Sequence, residues 1–118
     1  PYERESLSHS GIIYLPDKVL ADPESANRLG VALAGLADRV EGIHLHVDLD
    51  VVDPREMPAH NYPAPGGPSR GEVREALVRL SASGRVAAVS FSSWNPALPG
   101  ADRAVAAARV LAAPFLGG

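Results

Sequence analysis

The sequence contains no cysteine, which excludes disulfides, zinc-thiolate centres and cysteine nucleophiles. Its eleven positive residues comprise ten arginines and a single lysine, Lys18, so chemistry that needs a lysine has one candidate. There is no excess of positive charge: the formal net charge is −3, whereas general nucleic-acid binding wants a basic surface. No apolar run approaches the ~20 residues that span a bilayer. The opening stretch PYERESLSHS is polar and carries no secretion-signal pattern, so the expected setting is cytoplasmic, with neither a membrane nor nucleic acid as partner. An initiator methionine is missing too.

What is present is an ordinary globular composition, 46% hydrophobic and 21% charged over 118 residues, enough for one core and too short for two. Residues 1–118 are therefore expected to be a single domain or one end of a larger one. The apolar run Gly11–Leu15 predicts a first strand. Asp22-Pro23-Glu24 reads as a helix start, with Asp22 as N-cap and Pro23 in the first turn. Leu29, Leu33, Leu36 and Val40 then recur at helical spacing and Gly42 fits the stop. Gly30 and Gly35 weaken that helix by about 1 kcal/mol each relative to alanine, which suggests close packing against a sheet.

Ile43–Leu49 predicts the second strand. In the loop after it, five prolines in fifteen residues, Pro54, Pro58, Pro63, Pro65 and Pro68, fix backbone angles and remove donors, which excludes regular structure there. Ser69-Arg70-Gly71-Glu72 is a capping box, followed by a stripe of Val73, Ala76, Leu77 and Leu80, an exposed Glu75–Arg79 pair, and Gly84 as the stop. Val86–Phe91 predicts a third strand buried on both faces. After the turn Ser92–Pro96, a last helix runs from about Asp102. The order β-α-β-α-β-α argues for an α/β fold, a parallel sheet with helices packed on it and right-handed crossovers. Ligands in such sheets bind beyond the carboxyl ends of the strands. Asp48, Asp50 and Asp53 lie at one such end and the Ser92–Pro96 turn at another.

The stretch HLHVDLDVVDP puts His44, His46, Asp48 and Asp50 on one face of a strand. Asp53, directly before Pro54, fits a turn cap, and His44 and His46 fit buried histidines that satisfy hydrogen bonds. Asp48 and Asp50 are different. Two carboxylates two residues apart on a strand stand about 7 Å apart, and burying both ionised without a cation costs several kcal/mol each. A hard divalent ion such as Mg²⁺, Ca²⁺ or Mn²⁺ removes that cost. An EF-hand is excluded, since Val52 sits at its fifth position and no glycine follows. Asp48-Leu49-Asp50-Val51-Val52 also matches the D-x-D motif of haloacid-dehalogenase phosphatases, but the later lysine and acidic pair of that family are missing.

Residues 43–67 resemble the C-terminal signature of the ureohydrolases, the arginase, agmatinase and formimidoylglutamase family. Asp48-Leu49-Asp50-Val51-Val52-Asp53-Pro54 matches its D-x-D-x-x-D-P, Pro58 and Pro63 fall on its loop prolines, Gly66-Gly67 on its G-G, and Asn95-Pro96 on the end of its E-x-N-P. The resemblance implies the C-terminal β-α-β-α-β-α part of an arginase-like three-layer α/β/α domain. It implies a pair of Mn²⁺ ions with a bridging hydroxide that hydrolyses linear C–N bonds of guanidino or amidino small molecules. Carried over, Asp48 matches a carboxylate that bridges both ions, Asp50 a terminal ligand, and Asp53 a support of the turn; His46 stands where the family has serine and is a further support. Asn61, Tyr62, Ser93, Trp94 and Asn95 are candidates for substrate contact.

Two departures follow. The family's G-G-D-H and D-A-H-x-D segments, which carry the other ligands, are not in this sequence, so the remaining N-terminal part of the same polypeptide is an expected partner. An isolated piece is expected to associate with further copies or to be marginally stable. The family's acids in the last strand and turn are here Ser90 and Ser93, so the turn offers no acidic partner for a planar cation. A competing expectation is a catalytically degenerate relative that serves as a binding or assembly module.

Overall fold

A computed structural model describes residues 2–16, 20 and 22–117; Lys18 lies outside the described residues. Helix α1 (Tyr2–His9) opens the chain, followed by α2 (Pro23–Ala37), strand β1 (Ile43–Asp48), α3 (Arg70–Ala82), β2 (Val86–Ser92) and α4 (Ala101–Leu116). The two strands pair in parallel, from Ile43 beside Val86 to Asp48 beside Ser92.

The predicted first strand is not one. Residues 12–16 are unpaired coil, with Ile12, Ile13 and Tyr14 exposed. An apolar run becomes a strand only when a neighbouring strand takes its backbone hydrogen bonds, and neither β1 nor β2 lies beside it. The polar opening, for which no element was expected, forms α1 instead. Glu3 and Glu5 sit in its first turn, charges that suit the helix dipole, and Gly11 follows it at a φ of 73°.

Helix α2 starts as predicted: Asp22 accepts from the Glu24 amide at 3.2 Å and Pro23 is in the first turn. It stops at Ala37, five residues before Gly42, where the Asp38 and Arg39 amides turn back onto Ala34 and Leu36. The close-packing role of Gly30 and Gly35 is overturned, since a methyl group added at either would meet nothing within 4 Å. In α3 the capping box is complete, with Ser69 Oγ accepting from the Glu72 amide and the Ser69 amide donating to the Glu72 carboxylate at 2.7 Å. Gly84 follows at a φ of 66°, and Arg79 meets Glu75 at 2.8 Å on the exposed face.

The core lies on one face of the sheet. Val47 and Leu49 meet Val73 and Leu77 of α3 and Ala104, Ala107 and Leu111 of α4, with Leu45, Val89 and Phe91 packed against them. Strand β1 alternates accordingly, Val47 buried and His44, His46 and Asp48 exposed. Strand β2 is not buried on both faces as expected: Ala87 and Ala88 are exposed and the rest only partly covered. Its other face carries Ser90 and Ser92, which hydrogen-bond the histidines of β1.

Candidate functional site

Strand β1 ends at Asp48, one residue earlier than its sequence suggests, and Leu49–Val51 form a turn of 3₁₀ helix. That turn changes the acidic pair. Asp48 and Asp50 are not about 7 Å apart along a strand but hydrogen-bonded to each other. Asp48 is exposed and Asp50 partly so, which corrects the expectation of two buried carboxylates. The Ser93 hydroxyl donates to Asp48, and this bond, with that from Asp50, holds Asp48 below the usual carboxylate range. Burial and the Asp48 charge push Asp50 up, while His60 pulls it the other way. The two carboxyl groups are thus pushed in opposite directions by their mutual interaction. Among the described residues no group of three or more His, Asp or Glu side chains is placed to hold a metal.

Asp53 builds the turn under this pair. It is buried to 4% exposure and its carboxylate accepts from the Arg55 amide (2.9 Å), Arg55 Nε (2.8 Å), Arg55 Nη2 (3.0 Å) and the Gly66 amide (3.3 Å). Those bonds, the Arg55 side chain first, hold it far below the ordinary carboxylate range. Glu72 is likewise lowered by the Ser69 hydroxyl and amide. Both folded-state values lie below the unfolded ones. Their stabilisation is therefore present above about pH 4 and lost as pH falls through the lowered values. Acid titration followed by circular dichroism should show stability falling below about pH 4, and Asp53→Asn should flatten that slope.

The proline-rich loop returns to the turn through Gly67. Its Cα faces the backbone so closely that an added Cβ would lie 2.4 Å from the Val51 carbonyl oxygen. The Asp53 amide then donates to the Pro68 carbonyl at 3.0 Å.

Beyond β2, Ser93 has a φ of 65° and, across from it, Ala59 has a φ of 69°, a left-handed backbone that costs a non-glycine residue on the order of 1–2 kcal/mol. Three bonds tie these two loops together. The Asn95 amide donates to the Ala59 carbonyl at 2.9 Å, Asn95 Nδ2 to Asn61 Oδ1 at 2.8 Å, and His60 Nδ1 to the Ser93 carbonyl. The structure thus brings Asn61 and Asn95 onto each other, with Asn95 Oδ1 also accepting from the Ala97 amide. Tyr62 stands 88% exposed. Trp94 and Ser93 border a cleft of about 340 Å³ that also touches Leu49, Phe91 and Arg109; neither Asp48 nor Asp50 lines it, so this mainly apolar cleft is not where the acidic chemistry sits. His46 bonds Ser90 through Nδ1 (2.9 Å) and Ser92 through Nε2 (3.0 Å), and His44 reaches Ser90 at 3.1 Å.

His60 was not among the residues expected at the site. It is 7% exposed, and its Nε2 is buried with no hydrogen-bond partner among the described residues, a state that costs roughly 1–3 kcal/mol. Ten residues from Asp50 in an irregular loop, it has no periodic relation to the acidic pair that a sequence could display.

Parallel strands with α3 and α4 against one face, and a carboxylate pair at the carboxyl end of β1, define an α/β protein with its candidate site on the strand rim. The arginase-family model matches residues 1–117, and the chain belongs to the arginase family. It is 30% identical over 111 residues to an arginase of Brevibacillus brevis, covering 94% of this chain and 36% of that protein. It is 34% identical over 64 residues to a formimidoylglutamase of Chromobacterium violaceum, covering 54% of this chain and 21% of that protein. The solved arginase of Bacillus subtilis matches with a TM-score of 0.83 at 26% identity, over 99% of this chain and 40% of that one. The arginase of Bacillus caldovelox, at 24% identity and a TM-score of 0.84 over 99% of this chain and 39% of that one, shares the fold. The chain spans about a third or less of the curated relatives named here. Family membership leaves the phosphatase expectation without support.

Proposed function

We propose that the natural polypeptide containing this chain is a manganese-dependent hydrolase of linear C–N bonds in guanidino or amidino small molecules, with Asp48 and Asp50 among its metal ligands. One observation supports this reading: at the carboxyl end of β1 the Leu49–Val51 turn sets the Asp48 and Asp50 carboxyl groups to interact with each other, one held below and one pushed above the ordinary range. Like charges at contact repel, and a divalent cation between hard oxygen donors relieves that repulsion. The donor set fits Mn²⁺ or Mg²⁺ and does not fit a soft ion, since no thiol exists in the chain. When bound, such ions supply Lewis acidity and a water acidic enough to act as nucleophile near neutral pH.

The chain's own residues do the rest. The Ser93 hydroxyl orients Asp48. Asp53 fixes the turn that carries Asp50, through its bonds to Arg55 and Gly66. The bonds between the Ala59–Asn61 and Ser93–Asn95 loops fix the segment that carries Ser93.

A second reading, a non-catalytic binding or assembly module, is favoured by one specific feature: the described residues provide no third metal-ligating side chain at the pair, and Ser90 and Ser93 are not acids. The two readings separate on the manganese-loaded natural polypeptide. Turnover of any member of a panel of guanidino and amidino compounds, followed by release of urea, ammonia or formamide, favours the hydrolase. Tight manganese binding without turnover across the panel favours the module.

A further inference from the structure

The coil between α1 and α2 has the residues of a strand without a strand's partners. Ile12, Ile13 and Tyr14 are residue types that favour strands, and they stand 63%, 57% and 65% exposed. The Ile12 amide donates to Ser10 Oγ at 3.1 Å. Among the described residues, the amides of Ile13, Tyr14 and Leu15 have no hydrogen-bond partner. The coil lies against α2 rather than against β1 or β2. Ile13 and Leu15 border two open clefts of about 350 and 520 Å³, the first walled by Leu29, Leu33 and Leu36 and the second by Val31 and Ala32. Val31 is itself 66% exposed. Unpaired backbone beside exposed apolar side chains is a template for another strand.

Two observations select the occupant. Among the described residues the sheet has two strands, whereas sheets usually hold about four to six. The solved arginases match nearly the whole of this chain, yet well over half of each of those proteins has no counterpart in it. A second copy of the chain brings the same coil and the same two strands, so it leaves β1 and β2 as short of neighbours as before. We propose that Gly11–Leu15 is a docking strand: a strand from the part of the natural polypeptide outside residues 1–118 pairs with its backbone and sets apolar side chains into the clefts beside α2. Main-chain hydrogen bonds supply the attachment in such pairing, and alternate side chains supply the fit. Pro16 has no amide and closes the pairing at that end. The proposal rests on membership of the arginase family and not on the hydrolase reading, so each can fail without the other.

The test is hydrogen exchange, resolved to single amides, on the natural full-length polypeptide. Pairing along one edge protects alternate residues, so either Tyr14 or the pair Ile13 and Leu15 should exchange roughly a hundredfold or more slowly than in an unstructured peptide. Exchange of all three at the unstructured rate overturns the proposal. The occupant is read by photo-crosslinking in the same polypeptide carrying Tyr14→benzoylphenylalanine. The expected product joins position 14 to a peptide outside residues 1–118 of the same chain. A product that joins two chains, or one that reaches only residues within 1–118, overturns the proposal, as does a natural polypeptide with no residues outside 1–118. Should the labelled variant not fold, the exchange pattern of the wild-type protein decides alone.

Discussion

Asp48→Asn in the natural full-length polypeptide should remove manganese from the protein and lower any guanidino- or amidino-hydrolase turnover by roughly a thousandfold or more, since metal-ion catalysis is worth several kcal/mol. The substitution keeps the shape of the side chain and its ability to accept from the Ser93 hydroxyl, so the loss isolates the negative charge. Asp50→Asn should act in the same direction. It replaces the partner whose carboxyl is raised by burial and by the Asp48 charge, and leaves one anionic oxygen donor group where two stood. Asp53→Asn is the informative contrast. Its carboxylate is spent on Arg55 and Gly66, so its loss should lower stability before it lowers metal affinity. Metal content by plasma emission, with a thermal melt on the same sample, separates the three variants.

Gly67→Ala should be the most damaging single methyl group in the chain. The added Cβ would lie 2.4 Å from the Val51 carbonyl oxygen and 3.3 Å from the Asp53 amide nitrogen. Both are backbone atoms of the turn that carries Asp50, so no side-chain rotation relieves the contact. The loop must withdraw, which breaks the Asp53 amide bond to Pro68 and pulls Gly66 from the Asp53 carboxylate. A destabilisation of about 3 kcal/mol is expected, at the upper end for overpacking, read as a lower denaturant midpoint. Gly30→Ala serves as the control. It adds the same methyl group to a helical position with nothing within 4 Å, and should leave the midpoint unchanged or raise it.

The parts of this fold that were legible in the sequence are those whose cause is local. The start of α2 needs only Asp22 and Pro23, and the start of α3 only Ser69 and Glu72. The loop after Asp53 declares itself by its prolines, and β1 by its alternation. What escaped depends on neighbours. Gly11–Leu15 has strand composition, yet strand pairing is a property of two segments. Strand β2 looks doubly buried by composition, but its second face meets the histidines of β1 and solvent rather than a helix.

The site follows the same division. The D-x-D-x-x-D-P motif located the acidic pair, while its geometry depended on where β1 ends. A strand continued through Leu49 keeps the carboxylates apart, whereas the turn at Leu49–Val51 puts them in contact. The role of Asp53 as a turn support was expected from the resemblance, while the packing of Gly67 against the Val51 carbonyl was not. The roles of Asn61, Asn95 and His60 arise from two loops distant in sequence being tied to each other, and no spacing rule announces such a tie.

The measurement that tests the central claim most directly is the manganese stoichiometry of the natural full-length polypeptide, purified without chelator and assayed by plasma emission beside Asp48→Asn. The account predicts about two ions per chain, as in two-metal hydrolytic sites, and their loss in the variant. Wild-type protein that takes up no manganese, or a variant that retains as much as wild type, would contradict it.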